Sequence, residues 1–325
     1  MSINDDYQFV SIVMPAFNEE KYISEALEAV LELDYPKDRY EIIVVDNGSK
    51  DATVSIARKY TEHVYVVPNV RVGAVRNYGV RKSKGDIVAF LDSDCIPPKN
   101  WIKDTLVYMR DNGCDAVGGL GLVRDDPSWI ESSWILNQVP LDKPSRILAG
   151  AAIIMKKCAF LEVGGFNEVI NAGEDTLLAS DLIENGKVVH FAKSCAVIHL
   201  GYPQDLKTFI TRQYWQASSY LKSRKKNTLD IVFYIVALFL ASALVTPLFF
   251  FIFPMLGLIS LVLLLILPMI LSLKRIISSR YRSLRFDSYL KIYFLDFCYL
   301  VGRSAGLLKS LLVELKVFSD KKQHY

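Results

Sequence analysis

An apolar run, Ile87-Val88-Ala89-Phe90-Leu91, ends in Asp92-Ser93-Asp94. Side chains two apart on an extended segment face the same way, so two carboxylates at a strand end can share one divalent cation. Oxygen-rich donors suit Mg²⁺ or Mn²⁺, ions that commonly bridge to phosphate oxygens. The competing reading is a pair of solvated turn aspartates, the ordinary meaning of an isolated D-x-D. The surrounding chain decides between the two.

Elements that can position these residues alternate along the first 90 positions. Phe9–Met14 reads as a strand. Asn18 can cap a helix whose apolar positions, Ile23, Ala26, Leu27, Val30 and Leu31, have helical spacing. Glu41–Val45 is an unbroken apolar strand, as expected when both faces are covered. Ser49 or Asp51 can cap a helix running to Tyr60. Val64–Val67, Val72–Lys82 and Asp86–Leu91 read as strand, helix and strand. This α/β alternation predicts a mostly parallel sheet with helices on both faces. Ligands of such sheets sit outside the carboxyl ends of the strands, at the switch point. Polar residues gather there: Pro15-Ala16-Phe17-Asn18-Glu19, Asp46-Asn47-Gly48-Ser49 and Asp92-Ser93-Asp94. Neither G-x-G-x-x-G nor a P-loop follows any strand, which argues against a dinucleotide oxidoreductase and a P-loop NTPase.

The 325 residues carry a net charge of +3, which gives no global field for nucleic acid. Five scattered cysteines without C-x-x-C spacing suggest reduced thiols, not a disulfide frame or a zinc site. Met1-Ser2-Ile3-Asn4-Asp5-Asp6 has no basic or apolar leader character, so the first half is expected to stay in the cytoplasm. From Ile231 to Leu273 no charge occurs in 43 residues. One helix of that length would be about 65 Å long, roughly twice a bilayer core, so two spans with a turn at Phe253-Pro254-Met255-Leu256-Gly257 fit better. Lys222, Arg224, Lys225 and Lys226 precede the hairpin; Lys274, Arg275, Arg280, Arg282 and Arg285 follow it. Both clusters then lie on one side, and the positive-inside rule makes it the cytoplasm. In Asp287–Phe318, the charges Lys291, Asp296, Arg303, Lys309, Glu314 and Lys316 fall on half of a helical wheel. An amphipathic helix lying at the membrane interface follows, with a third span as the alternative.

Six motifs now stand in one order: Val10–Glu20 (VSIVMPAFNEE), Ile43–Asp51 (IVVDNGSKD), Arg76-Asn77-Tyr78-Gly79, Asp92-Ser93-Asp94, Gly164-Gly165-Phe166-Asn167-Glu168 and Gly173-Glu174-Asp175. In this order residues 8–220 resemble family 2 glycosyltransferases. The resemblance implies a GT-A fold, a Rossmann-like sheet with flanking helices, and an inverting, metal-assisted transfer from a nucleotide sugar. Asp94 would then hold Mn²⁺ or Mg²⁺, with Asp92 as second ligand or ribose contact, and the ion would stabilise the departing diphosphate as a Lewis acid. The family pattern places Pro15, Phe17 and Glu19 around the nucleoside and Asp46 on its base. Arg76, beside Asn77, is suited to the diphosphate or the sugar face; the alternative is a solvated helix charge.

By the same pattern Asp175 is the base that takes the acceptor proton, with Glu174 positioning the acceptor or tuning Asp175. The pair also reads as a helix N-terminus, and both can hold. Gly165 and Phe166 would lie on the acceptor side. His199 is either a third metal ligand, a diphosphate contact or a structural histidine. Arg212 and Trp215 can line the acceptor entrance, although the Gln-x-x-Arg-Trp signature of processive synthases is missing. Asn47, Leu177 and Asp181 stand where many relatives carry Asp, an acid and an arginine.

The expectation is a membrane-bound enzyme that adds a sugar to a polyprenyl phosphate or lipid-linked saccharide, at the cytoplasmic membrane with its catalytic part facing the cytoplasm. Residues 1–221 would form the catalytic domain, 222–230 a basic linker, 231–273 the hairpin and 274–325 a basic loop and interfacial helix. Two alternatives remain: an inactive membrane scaffold of the same fold, and a sugar nucleotidyltransferase. The latter class shows a Gly-rich basic loop after its first strand, which Pro15-Ala16-Phe17-Asn18 is not.

Overall fold

β1 (Val10–Ala16), α1 (Ile23–Leu31), β2 (Tyr40–Asp46), α2 (Thr53–Ala57), β3 (Val64–Val66), α3 (Val72–Lys82) and β4 (Ile87–Leu91) alternate as the apolar pattern predicts. The computed structural model describes residues 7–136, 142–218, 231–279 and 285–322. Next come β5 (Cys95–Ile96), α4 (Trp101–Asp111), β6 (Ala116–Gly118), β7 (Gly121–Leu122) and α5 (Trp129–Ile135). β8 (Lys143–Pro144), β9 (Ala152–Lys156), α6 (Lys157–Glu162), α7 (Glu174–Glu184), β10 (Val189–Phe191) and β11 (Val197–His199) complete the strands. Residues 1–125 with 138–202 form one unit; residues 126–137, which include α5, join 203–325 in the other.

The main sheet of the first unit has the order β3-β2-β1-β4-β9-β6-β10-β8. Its first four strands are parallel. β9 then enters antiparallel between β4 and β6, so the far half is mixed. An apolar run such as Ala152–Lys156 reports burial of both faces but carries no sign of strand direction. Ile12, Met14, Leu27 and Val44 belong to the core on one face; Val13, Val88, Phe90 and Phe160 belong to the core on the other.

The chain leaves β1 towards β2 and β3 and returns to β4 on the other side of β1. The switch point therefore lies between β1 and β4. β1–β4 pairing stops at Val13–Phe90, whereas β1 continues beside β2 to Ala16–Asp46. Beyond that last pair the two strands lead Phe17 and Asp92 out of the sheet. The cap expected from Asn18 is not made: α1 is entered at Tyr22 without a side-chain cap. Asn18 has φ +57° and its Oδ1 accepts from the Lys50 amide at 2.9 Å, joining the β1 and β2 loops. Asp51 does accept from the first-turn amide of Thr53 at 3.0 Å, but α2 stops at Ala57, short of Tyr60.

The second unit holds α5, α8 (Leu206–Ala217), α9 (Ile231–Ile252), α10 (Pro254–Ser278) and α11 (Phe286–Lys322). α8, grouped by the sequence with the first 221 residues, packs here. α9 and α10 are long and apolar enough to cross a membrane by length and composition. Phe253 separates them, and Pro254 occupies the first turn of α10, where its missing N–H costs no helical bond. Between them the Thr246 and Ser260 hydroxyls lie 2.7 Å apart, and Ser260 Oγ donates to Ser242 O at 3.1 Å. Such bonds hold apolar helices together where lipid and side chain are equally greasy. α11 packs against α8, α9 and α10. Gly302 and Gly306 let it approach α8 closely, because a Cβ at Gly306 would stand 2.4 Å from Tyr214 O.

One expectation for α11 is corrected. The wheel put Asp296 on the solvated half, but it is buried, and Ser272 Oγ donates to its Oδ2 at 2.7 Å. A wheel contains only its own helix and is blind to a basic partner on another. The linker 222–230, Arg280 and Arg282 lie outside the described residues, as do the side chains of Glu314 and Lys316.

Candidate active site

The smaller sheet, β5-β11-β7, brings two distant residues together. Antiparallel pairing sets His199 opposite Cys95, and its Nδ1 lies 3.7 Å from Asp94 Oδ2. Cys95 Sγ contacts Asp94 Oδ1 at 3.5 Å, and ligand atoms of the three residues fall within 4.8 Å of one another. The His199 ring stacks on Tyr202 with centroids 4.3 Å apart. A Cβ at Gly201 would stand 1.9 Å from Asp94 Oδ2, so only glycine leaves the carboxylate its place. A carboxylate and an imidazole are donors that can hold a divalent cation. The buried Cys95 thiol is too soft a donor for Mg²⁺ or Mn²⁺. The sequence named Asp94 and His199; the strand register brings His199 to Asp94 and its neighbour Cys95.

Asp92 faces a different partner. Its Oδ1 accepts from Arg76 Nη2 at 2.7 Å, and Arg76 Nη1 donates to Glu174 Oε1 at 2.6 Å. Arg76 is only 3% exposed, so it is not a solvated helix charge, and its terminal nitrogens already serve protein oxygens. Burial opposes its charge, but Asp92 and Glu174 outweigh that and hold the guanidinium above its ordinary pKa. Glu174 is likewise buried and turned to Arg76, away from a role in gripping an acceptor.

Asp175 is the second residue of α7, whose N-cap Gly173 has φ +89°, a glycine conformation. Its Oδ1 accepts from the Thr176 amide at 2.7 Å and its Oδ2 from the Gly150 amide at 2.9 Å. Burial, then the charge of Glu174, push its carboxyl up to about 6, against the pull of Arg76 and the two amides. The helix-terminus and site readings of Glu174-Asp175 thus coexist. Gly150 was missed. Its only signal is a small-residue run, Ala149-Gly150-Ala151, ahead of an apolar strand.

Three assignments change. Asn77 does not face a donor: its Oδ1 accepts from Phe166 N at 2.9 Å and its Nδ2 donates to Phe166 O at 2.9 Å. It clamps the loop in which Gly165 takes φ +79°. Phe166 is buried, edge-on to Phe90 with centroids 5.0 Å apart, and its ring lies 5.4 Å from the Arg76 guanidinium carbon. Phe166 thus packs behind Arg76, and Gly165 shapes the loop that Asn77 holds. Asn77→Ala would leave both Phe166 backbone groups without their partner in the interior. The expected loss is about 2–3 kcal/mol in a denaturant titration; a loss below about 0.5 would contradict the clamp.

Asp46 is the third. It is fully buried, with Oδ2 accepting from the Gly48 and Ser49 amides at 2.8 Å and Oδ1 accepting from Ser49 Oγ. It closes its own turn and does not stand open to a nucleoside base. Of the β1 residues, Pro15 is buried within the strand, Glu19 is half-buried with its amide on Thr53 Oγ1 at 2.7 Å, and Phe17 is 54% exposed. Phe17 is thus the open ring at the rim. Arg212 and Trp215 lie on α8, in the second unit.

A family model described as "Glycosyl transferase family 2" matches residues 11–146, and one described as "Glycosyl transferase family group 2" matches residues 87–274. The glycosyltransferase AglE of Haloferax volcanii is 41% identical over 117 residues, which are 34% of this chain and 38% of that protein. The undecaprenyl-phosphate 4-deoxy-4-formamido-L-arabinose transferase of Edwardsiella ictaluri is 38% identical over 134 residues, 38% of this chain and 39% of that one. The matches span well under half of either relative. A solved mannosyltransferase, PcManGT from Pyrobaculum calidifontis in complex with GDP-Man and Mn²⁺, superposes with a TM-score of 0.60 at 18% identity, over 93% of this chain and 87% of that one. At that identity the likeness is one of fold, the GT-A arrangement that the motif order implied. With more than half of its length matched by the model of glycosyl transferase family group 2, the chain belongs to that family.

Proposed function

We propose that the chain is an inverting, metal-dependent transferase that moves a sugar from a nucleotide-sugar donor to a membrane-associated polyprenyl phosphate or lipid-linked saccharide. The observation that carries this is the pair of hydrogen bonds from Arg76, to Asp92 at 2.7 Å and to Glu174 at 2.6 Å, which joins the segment holding Asp92 and Asp94 to the one holding Glu174 and Asp175. It supports a reading in which a cation site and a base serve one reaction. Phe17 offers a ring on which a nucleobase can stack. Asp94 and His199 would hold the cation, and a mixed oxygen and imidazole set favours Mn²⁺ over Mg²⁺. When bound, that ion supplies Lewis-acid stabilisation of the departing diphosphate. On a lipid-linked saccharide Asp175 takes the proton of the acceptor hydroxyl, whereas a polyprenyl phosphate attacks through an oxygen that is already ionised; in both cases attack opposite the leaving group inverts the sugar carbon.

The acceptor class is supported by the Edwardsiella relative, an undecaprenyl-phosphate 4-deoxy-4-formamido-L-arabinose transferase, and by α9 and α10 in the same chain. Lys274 and Arg275 near the end of α10 favour a cytoplasmic placement of that end. The test incubates purified chain and bacterial membranes with labelled UDP-, GDP- and dTDP-sugars and Mn²⁺ or Mg²⁺. Label should pass into lipid extract with release of nucleoside diphosphate; a nucleotidyltransferase would leave the lipid unlabelled and, given nucleoside triphosphate and sugar 1-phosphate, would release pyrophosphate. Asp94→Ala should lower transfer by roughly 10²–10³-fold. Absence of transfer from every donor, with nucleotide binding unchanged in Asp94→Ala, defeats the reading.

A further inference from the structure

Arg76 touches both halves of the site. Its Nη2 donates to Asp92 Oδ1 at 2.7 Å and to Gly150 O at 3.3 Å, while Nη1 donates to Glu174 Oε1 at 2.6 Å. Gly150 in turn gives its amide to Asp175 Oδ2 at 2.9 Å. One residue is thus gripped at its carbonyl by the cation and at its N–H by the candidate base. A Cβ on Gly150 would lie 3.1 Å from Arg76 Nη2 and 3.5 Å from Asp175 Oδ2, so its bare side faces both groups.

The cation is itself held firmly. α3 is seated where a Cβ at Gly79 would stand 2.3 Å from Val13 Cγ1 and one at Gly73 would stand 2.3 Å from Asn167 O. The guanidinium rests against the Phe166 ring. An arginine meant to receive a diphosphate keeps its fork open, whereas this fork is closed on two carboxylates.

We propose that Arg76 is a positioning residue that sets Asp175 for proton abstraction through the Gly150 peptide and ties that geometry to the donor-side carboxylate Asp92. This rests on Asp175 being the base of the proposed reaction. Arg76 contacts no reacting atom in this account. Its effect passes through the placement of Asp175, and misplacement of a catalytic group by about 1 Å can cost about 10²-fold in rate.

Two variants of the full chain in nanodiscs test it. Arg76→Lys keeps the charge but has no fork to reach Asp92, Glu174 and Gly150 together. Gly150→Ala keeps every charge and puts a methyl group between Arg76 and Asp175; it carries the test if Arg76→Lys does not fold. Each should lower kcat by about 10²-fold, with the donor KM within about threefold of wild type. Combined with Asp175→Asn, neither should slow the enzyme further, because groups acting as a unit are not additive. Hydrogen exchange at the Gly150 amide should quicken in Arg76→Lys, a readout that needs no substrate.

A raised donor KM at unchanged kcat would mean that Arg76 contacts the donor. Multiplicative losses with Asp175→Asn, or unchanged exchange at Gly150, would equally overturn the inference. Failure of the wild type to transfer any sugar would defeat the proposed function. The exchange measurement would then still decide whether Arg76 holds the Gly150–Asp175 contact.

Discussion

Asp175→Asn is expected to abolish sugar transfer while leaving nucleotide binding intact. The amide keeps the size of the carboxyl, and its oxygen can still accept from the Gly150 or Thr176 amide, two of the donors that fix the side chain now. What it loses is the capacity to take a proton. General-base catalysis contributes about 10²–10⁴-fold, so the turnover loss should fall in that range. Glu174→Gln should be milder, because Glu174 faces Arg76 at 2.6 Å and not the acceptor. Initial rates, paired with calorimetric titration of Mn²⁺ together with UDP or GDP, separate the two effects. Wild-type turnover in Asp175→Asn would remove this residue from the mechanism.

The same residue fixes a pH dependence. Burial first, and the negative charge of Glu174 second, push the Asp175 carboxyl up to about 6. A base works only when deprotonated, so kcat/KM should rise about tenfold per pH unit below that value and level off above it. Glu174→Gln removes one of the two causes of the upward shift. Its acid limb should therefore move to lower pH, the opposite of what general destabilisation would do in acid. A limb that stays in place would mean another group titrates.

What the sequence made legible is what local pattern encodes. The unbroken run Ile42–Val45 announces a strand covered on both faces, and it lies beside β1 as expected. The order of six short motifs announced the GT-A fold; the spacing of Asp92 and Asp94 suggested one shared cation, but Asp92 turns to Arg76 and Asp94 to His199. What stayed hidden depends on partners far along the chain. The carboxylates around Arg76 lie 16 and 98 positions away, and nothing in Val75-Arg76-Asn77 distinguishes a buried bridge from a surface charge. Asp46 looked like an open rim acid, but Gly48, with φ +84°, curls the chain back over it. Asn77, Gly165 and Phe166 looked like ligand contacts because they stand in site motifs. They act one layer behind, where a motif preserves the support as well as the contacting atoms.

Arg275→Met should destabilise the second unit strongly. Arg275 Nη1 donates to Asp296 Oδ1, its Nη2 donates to Ser133 O and to Trp134 O, and its guanidinium lies 4.5 Å over the Trp134 ring. One side chain on α10 thereby holds α11 by charge and the end of α5 by its backbone carbonyls. Asp296 is 1% exposed, so methionine would leave a buried carboxylate with only Ser272 and two carbonyls without their donor. Removing one partner of a buried pair costs about 3–5 kcal/mol, because the remaining charge keeps its desolvation penalty without compensation. Replacing both partners with apolar side chains of similar volume is often near neutral. Arg275→Met/Asp296→Leu should therefore melt above Arg275→Met alone in the same detergent, recovering most of the loss. Arg275→Lys should fall between, since its single ammonium cannot reach Asp296 and both carbonyls. If the double variant melted no higher than the single one, the ion pair would not be what joins α10 to α11, and the packing of apolar faces around Leu295 and Leu300, with the bond from the Tyr293 hydroxyl to Leu265 O, would have to do so.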